Sequence, residues 1–297
     1  MDERSMMLLV NPAAGRSTSA AALGAVVETF CSADWHPTVY FTNRRATEQV
    51  KERAGEYARL VCLGGDGTLS ESISGLMQIP PEHRPPLGYI PMGTANDVAN
   101  TLNLPLRKPG AAAADILNGK PMPYDVGFWN GDRYFTYVAA FGAFTEVSYA
   151  TDQEMKNALG KAAYLLSGLT MLPKLKSYHT RVEFDGQVIE DDLIFGAVSN
   201  STSVAGMIKL DKRVVALSDG KFELLLVRAP KNLAELNSIV SGLLNQDYNG
   251  SVMTIHQAAH VRFTFTEPVP WTRDGENGGE HSSVEIYNLH QAVELIV

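Results

Sequence analysis

Gly64-Gly65-Asp66-Gly67-Thr68 stands directly after the apolar run 60–63 and directly before a helical pattern. Glycines on a strand-to-helix turn permit positive φ and close backbone approach, and the amides at the helix start, aided by its dipole, point at an anion. Such a turn suits phosphate. Asp66 is the odd residue, because a carboxylate beside phosphates repels them unless a cation intervenes, and magnesium resolves the conflict. The plainer reading is a tight turn with Thr68 as helix N-cap. The turn does not stand alone, however. Gly93-Thr94-Ala95-Asn96-Asp97 repeats glycine, hydroxyl and helix start after the next strand, and Asn11-Pro12-Ala13-Ala14-Gly15-Arg16 follows the first strand. In a parallel sheet the three loops fall on one carboxyl edge, where α/β ligands bind.

Other chemistries lack their residues. There is no P-loop ending in Gly-Lys-Ser/Thr, no clear GxGxxG after the first strand and no protein-kinase catalytic-loop set. Of the seven histidines only His256 and His260 stand close together, and that stretch offers no third zinc ligand. Cys31 and Cys62 lie in apolar stretches without metal-like spacing, so a reducing compartment fits best. A formal net charge of -8 argues against a general nucleic-acid binder, whose affinity comes from clustered Lys and Arg. The short apolar run 6–10 is far below the ~18 residues of a membrane span, and no secretory signal is visible. A membranous substrate would therefore be approached from outside the bilayer, by peripheral contact at the inner face of the membrane from a cytoplasmic location.

The elements that must position these loops alternate in the first third of the chain. Runs 6–10, 39–42, 60–63 and 87–91 read as strands, and 18–30, 46–57 and 69–78 as helices, which predicts βαβ units and a parallel sheet. After Pro121 and Pro123 the pattern becomes hairpin-linked: 124–128 and 133–140 flank Asn130-Gly131, and Asp185-Gly186 joins 180–184 to 193–199. Further strands are expected at 222–227, 261–266 and 284–287, with helices at 154–172 and 233–245. The boundary between an α/β unit, 1–123, and an antiparallel β-sandwich, 124–288, falls where the period switches. The final apolar segment, within 289–297, can complete either sheet.

Asn11-Pro12 with Gly15, the two glycine turns, and Asp274-Gly275-Glu276 together resemble the diacylglycerol kinase catalytic family, especially its soluble bacterial lipid kinases. The resemblance covers nearly the whole chain and takes in Tyr124-Asp125-Val126-Gly127, Phe141-Gly142, Gly160 with Tyr164, and Ser218-Asp219-Gly220. It implies a Rossmann-like nucleotide domain, a β-sandwich of NAD-kinase type and an active site in the cleft between them. It implies further that ATP contacts the loop of Asn11, Pro12, Gly15 and Arg16, then Thr42, the turn of Gly64, Gly65, Asp66, Gly67 and Thr68 with Glu71, and the Gly93, Thr94, Asn96, Asp97 turn. Arg16 would face phosphate oxygens.

On the same resemblance, Glu276 removes the proton from the lipid hydroxyl, with Asp274 as metal ligand or orienting partner. The plainer reading of Asp274-Gly275 is a polar surface turn. Asp66 would hold the catalytic magnesium, which Asp125 could support; Asp125 could equally cap a strand end. Asp219, with the carbonyls of Ala216 and Lys221, would hold a second, structural magnesium. Here the chain departs from the family, with Ser218 before the aspartate and Glu223 after the turn, and a type I′ hairpin turn is the competing reading.

An apolar acceptor such as diacylglycerol needs apolar surface near the cleft. Within residues 165–175, the stretch 167–173 followed by Lys174, Lys176 and Arg181 combines apolar and basic groups as interfacial anchors do; a core helix with a solvated basic end is the alternative. Open acceptors are a sphingoid base, another long-chain alcohol or NAD. A nucleotide-binding regulatory module and a homodimer also remain compatible with the sequence.

Overall fold

In the computed structural model the described residues are 2–14, 18–43, 45–143, 176–204, 208–210 and 215–297. Gly15, Arg16, Gly160, Tyr164, the expected helix 154–172 and the apolar–basic segment 165–175 lie outside them.

Strands β1 (Ser5–Val10), β2 (His36–Phe41), β3 (Arg59–Gly64) and β4 (Leu87–Pro91) pair in parallel in the order β4-β3-β1-β2. Helices α1 (Thr18–Ser32), α2 (Ala46–Arg53), α3 (Asp66–Leu76), α4 (Asp97–Leu102) and α5 (Pro109–Asn118) are threaded among them. The central strands are apolar on both faces because both are covered. Met7 and Leu9 pack with Val50, Leu69 and Ile73 beneath α2 and α3, while Met6, Leu8 and Val10 pack with Val26, Phe30 and Ile116 of α1 and α5.

Two helix boundaries differ from expectation. The helix expected over 46–57 stops at Arg53 and gives way to a 3-10 turn, Ala54–Glu56, where Gly55 weakens α-helix. α3 starts at Asp66 with Gly65 as N-cap, so Thr68 lies inside the first turn instead of capping it. The reason is steric: a Cβ on Gly64 would stand 2.6 Å from the Thr68 side chain, so the chain can enter the helix at once only with glycine there.

The second part is antiparallel. β5 (Pro121–Trp129) and β6 (Arg133–Phe135) pair across Asn130-Gly131, whose φ values are +47° and +78°. The strand expected over 133–140 breaks in two, with β7 (Val138–Gly142) turning away to pair with other strands. β8 (Tyr178–Phe184) and β9 (Gln187–Ser199) form the second expected hairpin through Asp185-Gly186, also at positive φ. A short ribbon, β10 (Ser203–Val204) and β11 (Ile208–Lys209), follows. Then come β12 (Phe222–Arg228), α6 (Leu233–Asn245), β13 (Met253–Ala258), β14 (His260–Arg273) and β15 (Glu276–Ile296). α6 has the expected limits, with the Asn232 side chain accepting the Glu235 N–H. Ser218-Asp219-Gly220 is not a two-residue hairpin, since residues 215–217 directly before it carry no strand.

β14 is long and bent. Its first half pairs with β8 and its last three residues with β7, and Phe263 and Phe265 pack edge-to-face and Trp271 at a tilt on Phe141 in an aromatic core. β15 pairs with β14 and with β5, and its end reaches β4 in parallel at Leu295↔Leu87. The final apolar segment thus touches both sheets, and a single backbone ladder links the glycine-loop half to the strand-rich half.

Glu223 breaks the apolar run of β12. It is 1% exposed, its Oε1 meets Gln257 at 3.5 Å, Oε2 has no hydrogen-bond partner, and burial pushes its carboxyl up to about 8. Unfolded, the group ionises near its ordinary value of 4.5, so the neutral buried acid is harmless below that pH. Its cost grows as pH rises from there and levels off above the folded value. Glu223→Gln cannot ionise and should melt above the parent at about pH 9 but lose that advantage by about pH 5, as followed by calorimetry. An equal difference at both pH values would mean that Glu223 is not a buried neutral acid.

Candidate active site

The three glycine loops meet at one sheet edge and are tied to one another. Asn11 donates its backbone N–H to Leu63 at 3.0 Å and its side-chain amide to Thr68 Oγ1 at 2.8 Å. Met92 donates its N–H to Gly64 at 2.7 Å, and Thr42 hands its N–H to Val10 from a buried position at the neighbouring strand end. Gly65 and Gly93 lie face to face, with a Cβ on Gly93 falling 2.8 Å from Gly65 Cα. Only glycine at Gly93 lets the loops approach this closely. Asn96, at φ +52°, closes the second loop on itself: its carbonyl accepts the Gly93 N–H at 2.9 Å and its amide donates to the Gly93 carbonyl at 2.8 Å. Asn96 therefore shapes the loop from within, while Pro12 and Thr94 are exposed along its rim.

Asp66 opens α3 at 9% exposure. Burial, and then the neighbouring carboxylate of Asp97, push its carboxyl up to about 7, and the backbone amides of Asn96, Asp97 and Val98 pull in the opposite direction. Its Oδ1 is buried without a hydrogen-bond partner. Two close carboxylates with an orphaned oxygen between glycine loops make a donor set that suits a hard, oxygen-seeking cation such as Mg²⁺. The expected metal role of Asp66 thus fits the residues present.

Glu276 comes to this edge from the other half of the molecule. It is the first residue of β15, is exposed, and holds its Oε1 3.2 Å from where a Cβ on Gly67 would lie. Burial and then the charge of Glu276 raise the carboxyl of Glu71 above its usual range, so these two acids also face each other. A carboxylate is thereby poised over the phosphate-type turn, open to an incoming group.

Asp274, two residues earlier, does something different. It sits at φ +49° with Gly275 at +78°, the turn between β14 and β15. The surface turn expected from Asp-Gly is a hairpin turn, but its carboxylate points inward and is buried. Oδ2 accepts Ser70 Oγ at 2.6 Å and the Thr136 N–H at 2.7 Å; Oδ1 accepts the N–H groups of Tyr137 at 2.9 Å and Val138 at 3.2 Å. Burial raises its pKa, and these four donors oppose the shift. A carboxylate so occupied orients neighbours; it has no room to accept a proton from a substrate. The same bonds explain the broken strand, because the amides of Thr136 and Tyr137 turn to Asp274 instead of a ladder.

The sequence offered no reason to single out Ser70 or 136–138. Ser70 lies one turn after Asp66 on α3, so helical spacing from Gly67 was the available signal. The backbone donors carried none.

Asp125 is buried, and both its oxygens are engaged: Oδ2 accepts Gly220 N–H at 2.7 Å and Asn288 Nδ2 at 3.2 Å, and Oδ1 accepts Gln291 N–H at 2.7 Å. It neither faces the glycine turns through these bonds nor merely caps a strand; it fastens the 215–221 segment to β15. Asp219 is exposed and its Oδ1 accepts the Lys221 N–H at 3.0 Å. Ala216 and Lys221 flank it in the same segment, while the Ser218 carbonyl accepts from His290 Nε2 at 2.9 Å.

Glycine loops closing on an acidic helix start, with a free carboxylate delivered from a β-sandwich, define a phosphotransferase. The chain matches the diacylglycerol kinase catalytic domain over residues 5–129 and the YegS C-terminal NAD kinase beta sandwich-like domain over 138–297. It is 32% identical over 294 residues to a diacylglycerol kinase of Bacillus subtilis (strain 168), covering 98% of this chain and 95% of that one. To a diacylglycerol kinase of Staphylococcus carnosus (strain TM300) it is 33% identical over 294 residues, with coverages of 97% and 93%. The crystal structure of a diacylglycerol kinase from Bacillus anthracis str. Sterne shares the fold, with a TM-score of 0.76 at 23% identity over 99% of this chain and 96% of that one. This chain belongs to the diacylglycerol kinase family and is a kinase, with the two-domain fold of that family. Membership implies use of ATP and of a lipid acceptor. No helix among the described residues is long and apolar enough to cross a membrane.

The two acids of the Asp-Gly-Glu turn should separate in stability measurements. Asp274→Ala leaves buried amides without an acceptor and should cost about 3 kcal/mol or more in urea unfolding, whereas Glu276→Gln, on the surface, should stay within about 0.5 kcal/mol of the parent. Similar values for both would contradict the division of labour drawn from the hydrogen bonds.

Proposed function

We propose that the protein transfers the γ-phosphate of ATP to the free hydroxyl of diacylglycerol, giving phosphatidic acid. The observation that carries this reading is the position of Glu276 Oε1 over Gly67, on the open side of the phosphate-type turn. In this reading residues 1–123 bind the nucleotide and 124–288 the lipid, with the reaction where Glu276 meets α3.

The triphosphate lies along the amides of Gly64, Gly65, Gly67 and Thr68, between the Asn11–Pro12 loop and Gly93–Thr94, with Thr42 and Glu71 at its flanks; Gly15 and Arg16 belong to the same loop. Asp66, with Asp97 beside it, holds Mg²⁺, which when bound neutralises charge on the phosphates. Glu276 accepts the hydroxyl proton as the lipid oxygen attacks, a role that needs an open carboxylate within hydrogen-bond reach. Asp274 fixes the hairpin that carries Glu276 against Ser70 of α3, so that base and phosphate turn keep their spacing. Asp219, with the carbonyls of Ala216 and Lys221, is a further magnesium position in this reading, and Asp125 acts there as the tie that holds the segment. The lipid is met at the membrane surface by peripheral contact.

NAD remains the competing acceptor, favoured by the NAD kinase likeness of the C-terminal half. Purified protein with labelled ATP, magnesium and mixed micelles of diacylglycerol, beside NAD and sphingosine, decides between them. Phosphatidic acid is expected, with Glu276→Gln lowering kcat by about 10²–10⁴-fold at a nearly unchanged KM for ATP. NADP as the product would overturn the lipid assignment and leave the nucleotide site standing.

A further inference from the structure

Arg273 immediately precedes the Asp-Gly-Glu turn, yet its guanidinium points to a different place. Ser74, Gln78, Asp132, Arg133, Tyr134 and Arg273 line an open cleft of about 340 Å³ on the flank of α3. Ser74 is seven residues beyond Gly67 on that helix, roughly 10 Å along its axis. The cleft is thus separate from the phosphate turn. Arg273 is half-buried, and its Nη1 is out of contact with water and without a hydrogen-bond partner. Among the described residues no carboxylate forms an ion pair with it.

A second cation, Arg133, lines the same cleft and is close enough for its charge, together with burial, to push the Arg273 pKa down. Asp132 lies 3.8 Å from Arg133 Nε and its charge reaches Arg273 as well, so a single carboxylate on the cleft faces two guanidiniums. Asp274 and Glu276 act on Arg273 from a distance, but the four donors on Asp274 leave it no capacity for a guanidinium. Nη1 is closed off from the cleft, so the donors of the half-buried guanidinium that line the cleft are the ones an incoming group would meet. Two guanidiniums on one cleft repel each other, and an anion between them would relieve that repulsion.

We propose that Arg273 and Arg133, with the Ser74 hydroxyl and Gln78 amide as neutral donors, form a second anion site that takes a phosphate group. Guanidinium forks and a hydroxyl are the donor types that phosphate oxygens accept from, and Gln78 Nε2, which gives one N–H to the Ser74 carbonyl at 3.2 Å, keeps its second. The phosphate comes either from a soluble phosphorylated compound or from the headgroup of an anionic phospholipid. The site is independent of the acceptor's identity and of the nucleotide position.

The test uses the full chain saturated with ADP and magnesium, so that the nucleotide site is occupied. Inorganic phosphate is titrated calorimetrically, and vesicles of phosphatidylglycerol or of phosphatidylcholine are co-sedimented, with the parent, Arg273→Met and Arg133→Met. Phosphate binding weakened about tenfold or more in both variants supports a site for soluble phosphate. Loss of binding to phosphatidylglycerol vesicles alone, in both variants, supports the headgroup source. If neither ligand binds the parent, or both variants match it in both assays, there is no such site. Should Arg273→Met fail to fold, the exposed Arg133→Met carries the same comparison.

Discussion

The buried carboxylate of Asp274 is the contact on which the rest of the site depends. It gathers one hydroxyl from α3 and three backbone amides from the stretch between β6 and β7, and it does so from a hairpin turn that belongs to the far end of β14. Three parts of the chain, at Ser70, at 136–138 and at Asp274, are thereby brought together. A buried acid is tolerable only when its oxygens are fully satisfied, so the geometry is nearly all-or-none. Glu276, two residues later, holds its Oε1 3.2 Å from where a Cβ on Gly67 would lie.

Around that anchor the site is short of positive charge. Asp66 and Asp97 face each other at the helix start, and Glu71 and Glu276 face each other just above. Burial and mutual repulsion together raise two of these carboxyls, those of Asp66 and Glu71. The glycines supply the other half of the arrangement, since the closeness of Gly65 to Gly93 leaves no room for side chains between the loops. Arg273, one residue before the anchor, faces the opposite electrostatic problem on the side of the same helix.

Long-range rigidity comes from β15. Its 21 residues pair in turn with β14, β5 and the end of β4, so the strand that begins at Glu276 ends in the parallel sheet that carries the glycine loops. The bulge around Gln291, at positive φ, gives its free N–H to Asp125. Both inward-facing aspartates of the second half thus do the same work, each collecting donors from segments that would otherwise be joined by side-chain packing alone.

The local patterns were legible because local physics writes them. Continuous apolar runs marked the parallel strands, Asn130-Gly131 and Asp185-Gly186 marked their hairpins through positive φ, and Asn232 with Glu235 marked the start of α6. The glycine turns, too, announced phosphate chemistry by composition and spacing. What the sequence could not decide is which oxygens of its acids remain free. Asp274, Asp125 and Glu276 are all acids beside turns or strand ends, and nothing in the chain near them says that the first two are enclosed by amides from distant strands while the third is open. Hydrogen-bond donors of the backbone have no sequence signature, and the split of 133–140 into two strands arises from the same unseen bonds. The same holds for Arg273, an ordinary residue of a strand in the sequence. Its lack of a partner exists only once β14, β6 and α3 have closed around it, because satisfaction of a buried polar atom is a property of tertiary neighbours and not of chain order.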